Sequence, residues 1–182
     1  AWAQPYDITP YTTTTNVSCT GDVPDCNNAR GPADGAAAGI DTGETLTLDF
    51  GTYGIIDGDG ADLVFYEWPA DGAWPSSAGI LLDFVVIEMS ADGTTWYTVF
   101  AWDGIPGGVV GTNIDGYATD GTGEQDNEAI PASALYPPGG TGTGVTIDIG
   151  PWAPAGYSYR YVRFTCPGSG DPAQIDAVQR LN

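Results

Sequence analysis

An all-β fold, a two-sheet antiparallel β-sandwich or jelly roll with long Gly/Asp-rich loops, is what the sequence predicts, on three observations. The 182 residues include 27 Gly and 14 Pro, which break helices and supply turns. Asp outnumbers Glu by 19 to five, and Asp forms turns where Glu favours helix. Apolar residues alternate with polar ones in short runs bounded by turn residues, the period of a half-buried strand.

With 42% hydrophobic residues the chain can bury one core, so a single domain is expected. Residues 1–43 read as an extended, Thr-rich N-terminal arm followed by a Gly/Ala/Asp loop, and residues 44–182 as the sandwich. Leu46, Leu48 and Phe50 alternate with Thr45, Thr47 and Asp49, one dry face and one wet. Ala61 to Trp68 is a second strand, and Ile80 to Ser90 is read as one long, nearly continuous strand. The turn Ala91-Asp92-Gly93-Thr94 returns the chain along Thr95 to Trp102, a hairpin. Trp96 and Trp102, evenly spaced, are expected on one face. Asp103 to Gly144 is a long loop region with a short helical turn around Pro131 to Leu135, and loops of that length are usually functional or ligand-stabilised. Val145 to Ile149, Ser158 to Thr165 and Gln174 to Leu181 complete about seven or eight strands, a sandwich's complement.

Twenty-four acids against four arginines give a formal charge of −20, which repels nucleic acids and anionic membranes. The longest apolar stretch, Gly79 to Met89, is broken by Asp83 and Glu88 and falls short of the roughly 20 residues a spanning helix needs, so no membrane insertion is expected. With no histidine and no lysine, histidine triads, histidine metal sites, Schiff bases and Walker-type phosphate loops each lack an essential part. Ala1-Trp2-Ala3 ahead of Gln4 has the small-x-small pattern of an export cleavage region, so the chain reads as secreted, extracellular or at the cell surface. Cys19 and Cys26, with Gly21 and Pro24 between them, suit a local disulfide in an oxidising compartment. Cys166 is left as a buried thiol at a strand end; a three-cysteine metal site competes but lacks Cys-x-x-Cys knuckles. Asn16-Val17-Ser18 is an N-glycosylation sequon and Thr12 to Thr15 a candidate O-linked tract, so a glycoprotein is expected.

The densest acidic cluster is Asp57-Gly58-Asp59-Gly60-Ala61-Asp62. Its glycines let the backbone turn so that carboxylates converge on a hard cation, and Ca²⁺ takes six to eight oxygens. The flanking strand pattern and the missing twelfth-position Glu exclude an EF-hand. The competing reading is turn chemistry, since Asp-Gly occurs eight times in the chain. A second run, Glu124 to Glu128, reads as a solvated charged stretch, with another oxygen-rich cation site as the competing reading. Arg160 and Arg163, on opposite strand faces, are each expected to find a carboxylate. Among six tryptophans, Trp68 and Trp74 flank a Pro/Gly/Asp loop where indoles could stack on sugar rings.

The segments DGDGADLVFYE, FVVIEMSADGTTWYTVF and DPAQIDAVQRL resemble a group of secreted bacterial cell-surface domains. That group repeats a Gly-x-Gly-x-Asp strand ending in Phe-x-Glu, a Val-Glu-Val-Ser-x-Asp-Gly hairpin and a closing Ile-Asp-Ala-Val strand. The resemblance spans roughly residues 44 to 181 and implies a galactose-binding-like β-sandwich with a structural calcium and a role in carbohydrate binding or attachment. Position by position, it matches Asp62 to the motif Asp, Glu67 to the acid ending the strand and Asp176 to the acid of the closing strand, with Asp57 and Asp59 matching less closely. The calcium ligand set is thus read as Asp57, Asp59, Asp62 and Asp176. Strand alternation puts Asp62, Val64 and Tyr66 on one face and Leu63, Phe65 and Glu67 on the other, so Glu67 is expected to be a buried, hydrogen-bonded acid or a partner of Arg163.

The expected function is a non-enzymatic, calcium-binding structural or adhesive subunit of an extracellular filament or surface layer. It would self-associate with identical subunits through strand addition by the N-terminal arm, calcium neutralising the charge between copies. The alternative is a calcium-stabilised carbohydrate-binding module. A carboxylate glycosidase is a remote third, since nothing singles out a catalytic acid pair.

Overall fold

The computed structural model describes residues 16–168 and 170–181; residues 1–15 of the N-terminal arm assigned to strand addition lie outside them. Its thirteen strands are β1 (Asn16–Thr20), β2 (Ala38–Ile40), β3 (Thr45–Asp49), β4 (Ile55–Ile56), β5 (Leu63–Glu67), β6 (Ile80–Leu82), β7 (Val85–Ser90), β8 (Tyr97–Trp102), β9 (Glu128–Ile130), β10 (Gly144–Ile147), β11 (Ser158–Tyr159), β12 (Tyr161–Thr165) and β13 (Ala173–Arg180). A five-stranded sheet in the order β1-β3-β12-β7-β8 faces a four-stranded sheet in the order β10-β5-β13-β2, with the pairs β11-β4 and β6-β9 at the margins. Every ladder between named strands is antiparallel. The chain is an all-β sandwich.

Alternation along the strands builds the core, because successive side chains point to opposite faces. Leu46 and Leu48 of β3, Val162 and Phe164 of β12 and Ile87 of β7 are fully buried, and so are Leu63 and Phe65 of β5 and Val145 and Ile147 of β10. Phe65 joins the layers: its ring meets Phe100 at 5.4 Å and Phe164 at 6.1 Å, both tilted or edge-on, the arrangement ring quadrupoles favour.

Several expectations are met. Cys19 and Cys26 are bridged and Cys166 is a buried free thiol. The β7–β8 hairpin forms, and the Asp92 carboxylate accepts the Thr94 and Thr95 amides across its turn, each at 2.8 Å. A short 3₁₀ turn occupies Ala132–Ala134. Arg160 pairs with Asp49 and Arg163 with Glu88, each at 2.7 Å, so Arg163 is not the partner of Glu67.

Three expectations are corrected. Ser158 to Thr165 is two strands, β11 pairing with β4 and β12 joining the five-stranded sheet. The single strand Ile80 to Ser90 is two strands in different sheets: β6 pairs with β9, Asp83 and Phe84 turn the chain, and β7 enters the five-stranded sheet. Trp96 and Trp102 lie on opposite faces, because the ladder skips a residue between Thr98 and Phe100, a bulge that shifts the phase of the strand. Trp102 is buried in the core while Trp96 carries the Arg163 guanidinium 4.0 Å above its ring. Among the described residues no helix is long and apolar enough to cross a membrane.

Candidate functional site

β5 gives its inner face, Leu63 and Phe65, to the core and its outer face, Val64 and Tyr66, to a separate small cluster with Ala177 of β13. β13 contributes to both because it bulges: Ile175 pairs with Glu67 but Ala177 pairs with Tyr66, leaving Asp176 as the extra residue. Past the bulge Val178 points inward and Gln179 to the outer face.

Two loops rise over that outer face. The segment after β5 brings in Trp74 and Pro75, the segment after the 3₁₀ turn brings in Tyr136 and Pro137, and both Xaa-Pro bonds are cis. Between them lies a groove of about 440 Å³ floored by Tyr66 and Gln179. Trp74 stands edge-on to Tyr66 at 5.9 Å, and the Tyr66 hydroxyl donates to Gln179 Oε1 at 2.6 Å. That bond fixes the amide orientation and leaves Gln179 Nε2 as the donor end. Burial, reinforced by Tyr136 and Asp176, pushes the Tyr66 phenol well above its ordinary range, so it stays a neutral donor. Among the described residues no acid or base lines this groove, although the chain carries a charge of −20.

The walls are held by backbone. Tyr136 and Gly144 exchange amide-to-carbonyl bonds at 2.8 and 2.9 Å. The Asn113 side chain donates to Ala134 and Gly144 carbonyls and accepts the Thr146 amide, all within 3.1 Å. A Cβ on Gly144 would come within 2.6 Å of Val64 and 2.8 Å of the Tyr136 carbonyl, so this approach needs glycine.

The acidic residues singled out in the sequence divide between places. Asp57 and Asp62 come together with Asp148, each offering a carboxylate oxygen within 4.8 Å of the others. Asp62 is fully buried, and its two oxygens accept the Gly58 amide at 2.8 Å and the Ile149 amide at 3.0 Å. A Cβ at Gly150 would stand 2.9 Å from Asp57 Oδ1 and 3.2 Å from Asp148 Oδ1. Exposed Asp59 and buried Asp176 both lie outside this group. Buried in the β13 bulge, Asp176 accepts the Asp34 amide at 3.2 Å and the Gly35 amide at 2.9 Å. Burial raises its carboxyl to about 6 against the lowering effect of those amides.

The run at Glu124 is not a solvated stretch throughout: Glu124 is buried and accepts the Asp103 and Gly104 amides at 2.9 and 3.1 Å. Trp68 and Trp74 do not form one platform. Trp68, 41% exposed, donates its indole N–H to the Gly35 carbonyl beside a separate shallow hollow. Tyr66, Tyr136 and Gln179 were not singled out in the sequence; an aromatic at Tyr66, on the strand face that alternation assigns to the outside, was the available signal.

No protein-family model matches the chain, and no curated protein matches it. Similar solved structures include the CBM32-6 module of a GH89 protein from Clostridium perfringens, at 15% identity over 92% of each chain with a TM-score of 0.48. CBM32-1 from a family 31 glycoside hydrolase of the same organism is 14% identical over 94% of this chain and 98% of that one, TM-score 0.48. A pectin-binding carbohydrate-binding module is 13% identical over 92% and 89%, TM-score 0.42.

Proposed function

We propose that this domain is a non-catalytic carbohydrate-binding module that takes an uncharged sugar in the groove above Tyr66. This favours the alternative reading of the sequence over the filament subunit. The observation that carries it is an aromatic-walled, charge-free groove on a polyanion. A pyranose presents an apolar C–H face that stacks on an indole or phenol ring, and a few fixed polar groups such as the Gln179 amide set orientation. A uronate or sulfated glycan would meet the net field of the protein unfavourably.

Isothermal titration against neutral oligosaccharides chosen from a glycan array tests it. Trp74→Ala is expected to weaken binding at least tenfold, and Gln179→Ala severalfold, with circular dichroism unchanged. A Trp74→Ala protein that keeps full affinity, or an array that responds only to acidic glycans, overturns the reading. The Asp57–Asp62–Asp148 group is the place for the expected calcium, whose role there would be to hold the loop before β5. The disulfide Cys19–Cys26 suits an extracellular setting.

One observation favours self-association as a second reading. Among the described residues β1 pairs only with β3 at the border of the five-stranded sheet, and such an edge can accept a strand from a neighbour. Light scattering in calcium and in EDTA tests this; a monomer in both defeats it.

A further inference from the structure

Around the end of β5 remote from Asp62, three buried side-chain oxygens have no hydrogen-bond partner. Glu67 is 1% exposed; its Oε1 accepts the Gln174 amide at 2.8 Å and the Trp68 amide at 3.3 Å, while its Oε2 has no hydrogen-bond partner. Asp83, 4% exposed, has an unpartnered Oδ1, and Thr143, fully buried, an unpartnered Oγ1. Their positions follow from the ladders. Gly144 pairs with Tyr66, and the Glu67 amide donates to the Thr143 carbonyl at 3.3 Å. Thr143 therefore lies across from Glu67 and points to the same inner face. The antiparallel bridge Pro69↔Ile80 runs β6 back alongside β5, which brings Asp83, just past β6, near enough for its charge to act on Glu67.

Burying a carboxylate oxygen with nothing opposite costs several kcal/mol, and here two carboxylates and a hydroxyl do so together. The two ion pairs among the described residues are Arg160–Asp49 and Arg163–Glu88, so neither Glu67 nor Asp83 has a base. Asp126 and Asp171 add to the negative field at Asp83. Oxygen donors only, no nitrogen or sulfur, buried and net negative, describe a hard cation's site.

We propose that a divalent cation of the calcium class binds between Glu67 Oε2, Asp83 Oδ1 and Thr143 Oγ1, separately from the Asp57–Asp62–Asp148 group. Glu67 and Asp83 supply the charge, Thr143 a neutral ligand, and water or nearby carbonyls the remaining positions. The site does not rest on the sugar-binding reading; it sits on the face of β5 opposite the groove.

The test uses the chain with Asp148→Asn, which disables the other acidic group, dialysed against EDTA and titrated calorimetrically with CaCl₂. One calcium per chain is expected, with a melting temperature raised by about 5 °C at saturation. Adding Glu67→Gln and Asp83→Asn should abolish binding and the thermal shift, and Thr143→Val, close in shape, should weaken binding about tenfold. Because the Gln/Asn pair removes mutual repulsion, it should melt in EDTA no lower than its parent, which verifies folding. Binding that vanishes with Asp148→Asn alone, or that survives Glu67→Gln with Asp83→Asn, overturns the proposal. So does a Thr143→Val protein with unchanged affinity.

Discussion

The two ends of β5 each bury a carboxylate and treat it in opposite ways. At the start, both oxygens of Asp62 accept backbone amides, from Gly58 and from Ile149. At the finish, Glu67 satisfies one oxygen on Gln174 and Trp68 and leaves the other bare, within the field of the buried Asp83. Only four residues lie between them. At the first end backbone amides already compensate both Asp62 oxygens, so a calcium held with Asp57 and Asp148 would add to a site that stands without it. The second is complete only when a positive charge or protons arrive. Buried acid alone therefore says little; where each lone pair goes decides whether the residue is scaffold or ligand.

The largest effect should come from emptying the complete end. Asp62→Ala strands the Gly58 and Ile149 amides and is expected to cost about 3–5 kcal/mol in urea unfolding; a loss under about 1 kcal/mol would mean that water replaces the carboxylate and the contrast is false.

Next comes pH. Burial, with Asp126 and Asp171, raises the Asp83 carboxyl from 3.8 to about 7, and burial with the Asp83 charge holds Glu67 well above its ordinary value. A group whose native pKa lies above its unfolded one binds its proton more tightly when folded. Its contribution is full below about pH 4 and gone above about pH 7, on the order of 2–4 kcal/mol. Stability in EDTA should thus fall as pH rises across that window, and Asp83→Asn should flatten the slope. An unchanged slope in that variant would reassign the titration elsewhere.

Gly144→Ala presses a methyl onto Val64 and the Tyr136 carbonyl and should cost about 1–3 kcal/mol, with sugar affinity falling as the Tyr136 wall shifts. The smallest effect should be Glu67→Gln in EDTA, within about 1 kcal/mol of the parent because a charge leaves a site that has no use for it without metal. The equivalent Asp62→Asn should be clearly worse, since its NH₂ would oppose an amide donor. Equal effects at the two ends would erase the distinction.

Much of the architecture was legible in the chain, because it follows from period-two alternation. Leu46, Leu48 and Phe50 read directly as one buried face, and the Ala91-Asp92-Gly93-Thr94 turn as a hairpin. The split at Asp83 and Phe84 was not legible: a single acid in an apolar run looks like an interruption, and only the pairing of β6 with β9 makes it a sheet boundary. The site was half visible. Asp57 and Asp62 are local and were found, whereas Asp148 reaches them from the end of another strand. Trp74 stood out by type, but Tyr136 and Gln179 join it through ladder register, which no local pattern encodes. Asp176 looked like a calcium ligand by resemblance, and the bulge turns it toward the 34–35 amides.

That bulge has a consequence for how the closing strand can vary. With Asp176 deleted, the remaining order still alternates correctly: Ile175 inward, Ala177 outward, Val178 inward, Gln179 outward. The aspartate is a supernumerary rung on a ladder already whole, and what its loss would unfasten is the neighbouring loop at Asp34 and Gly35.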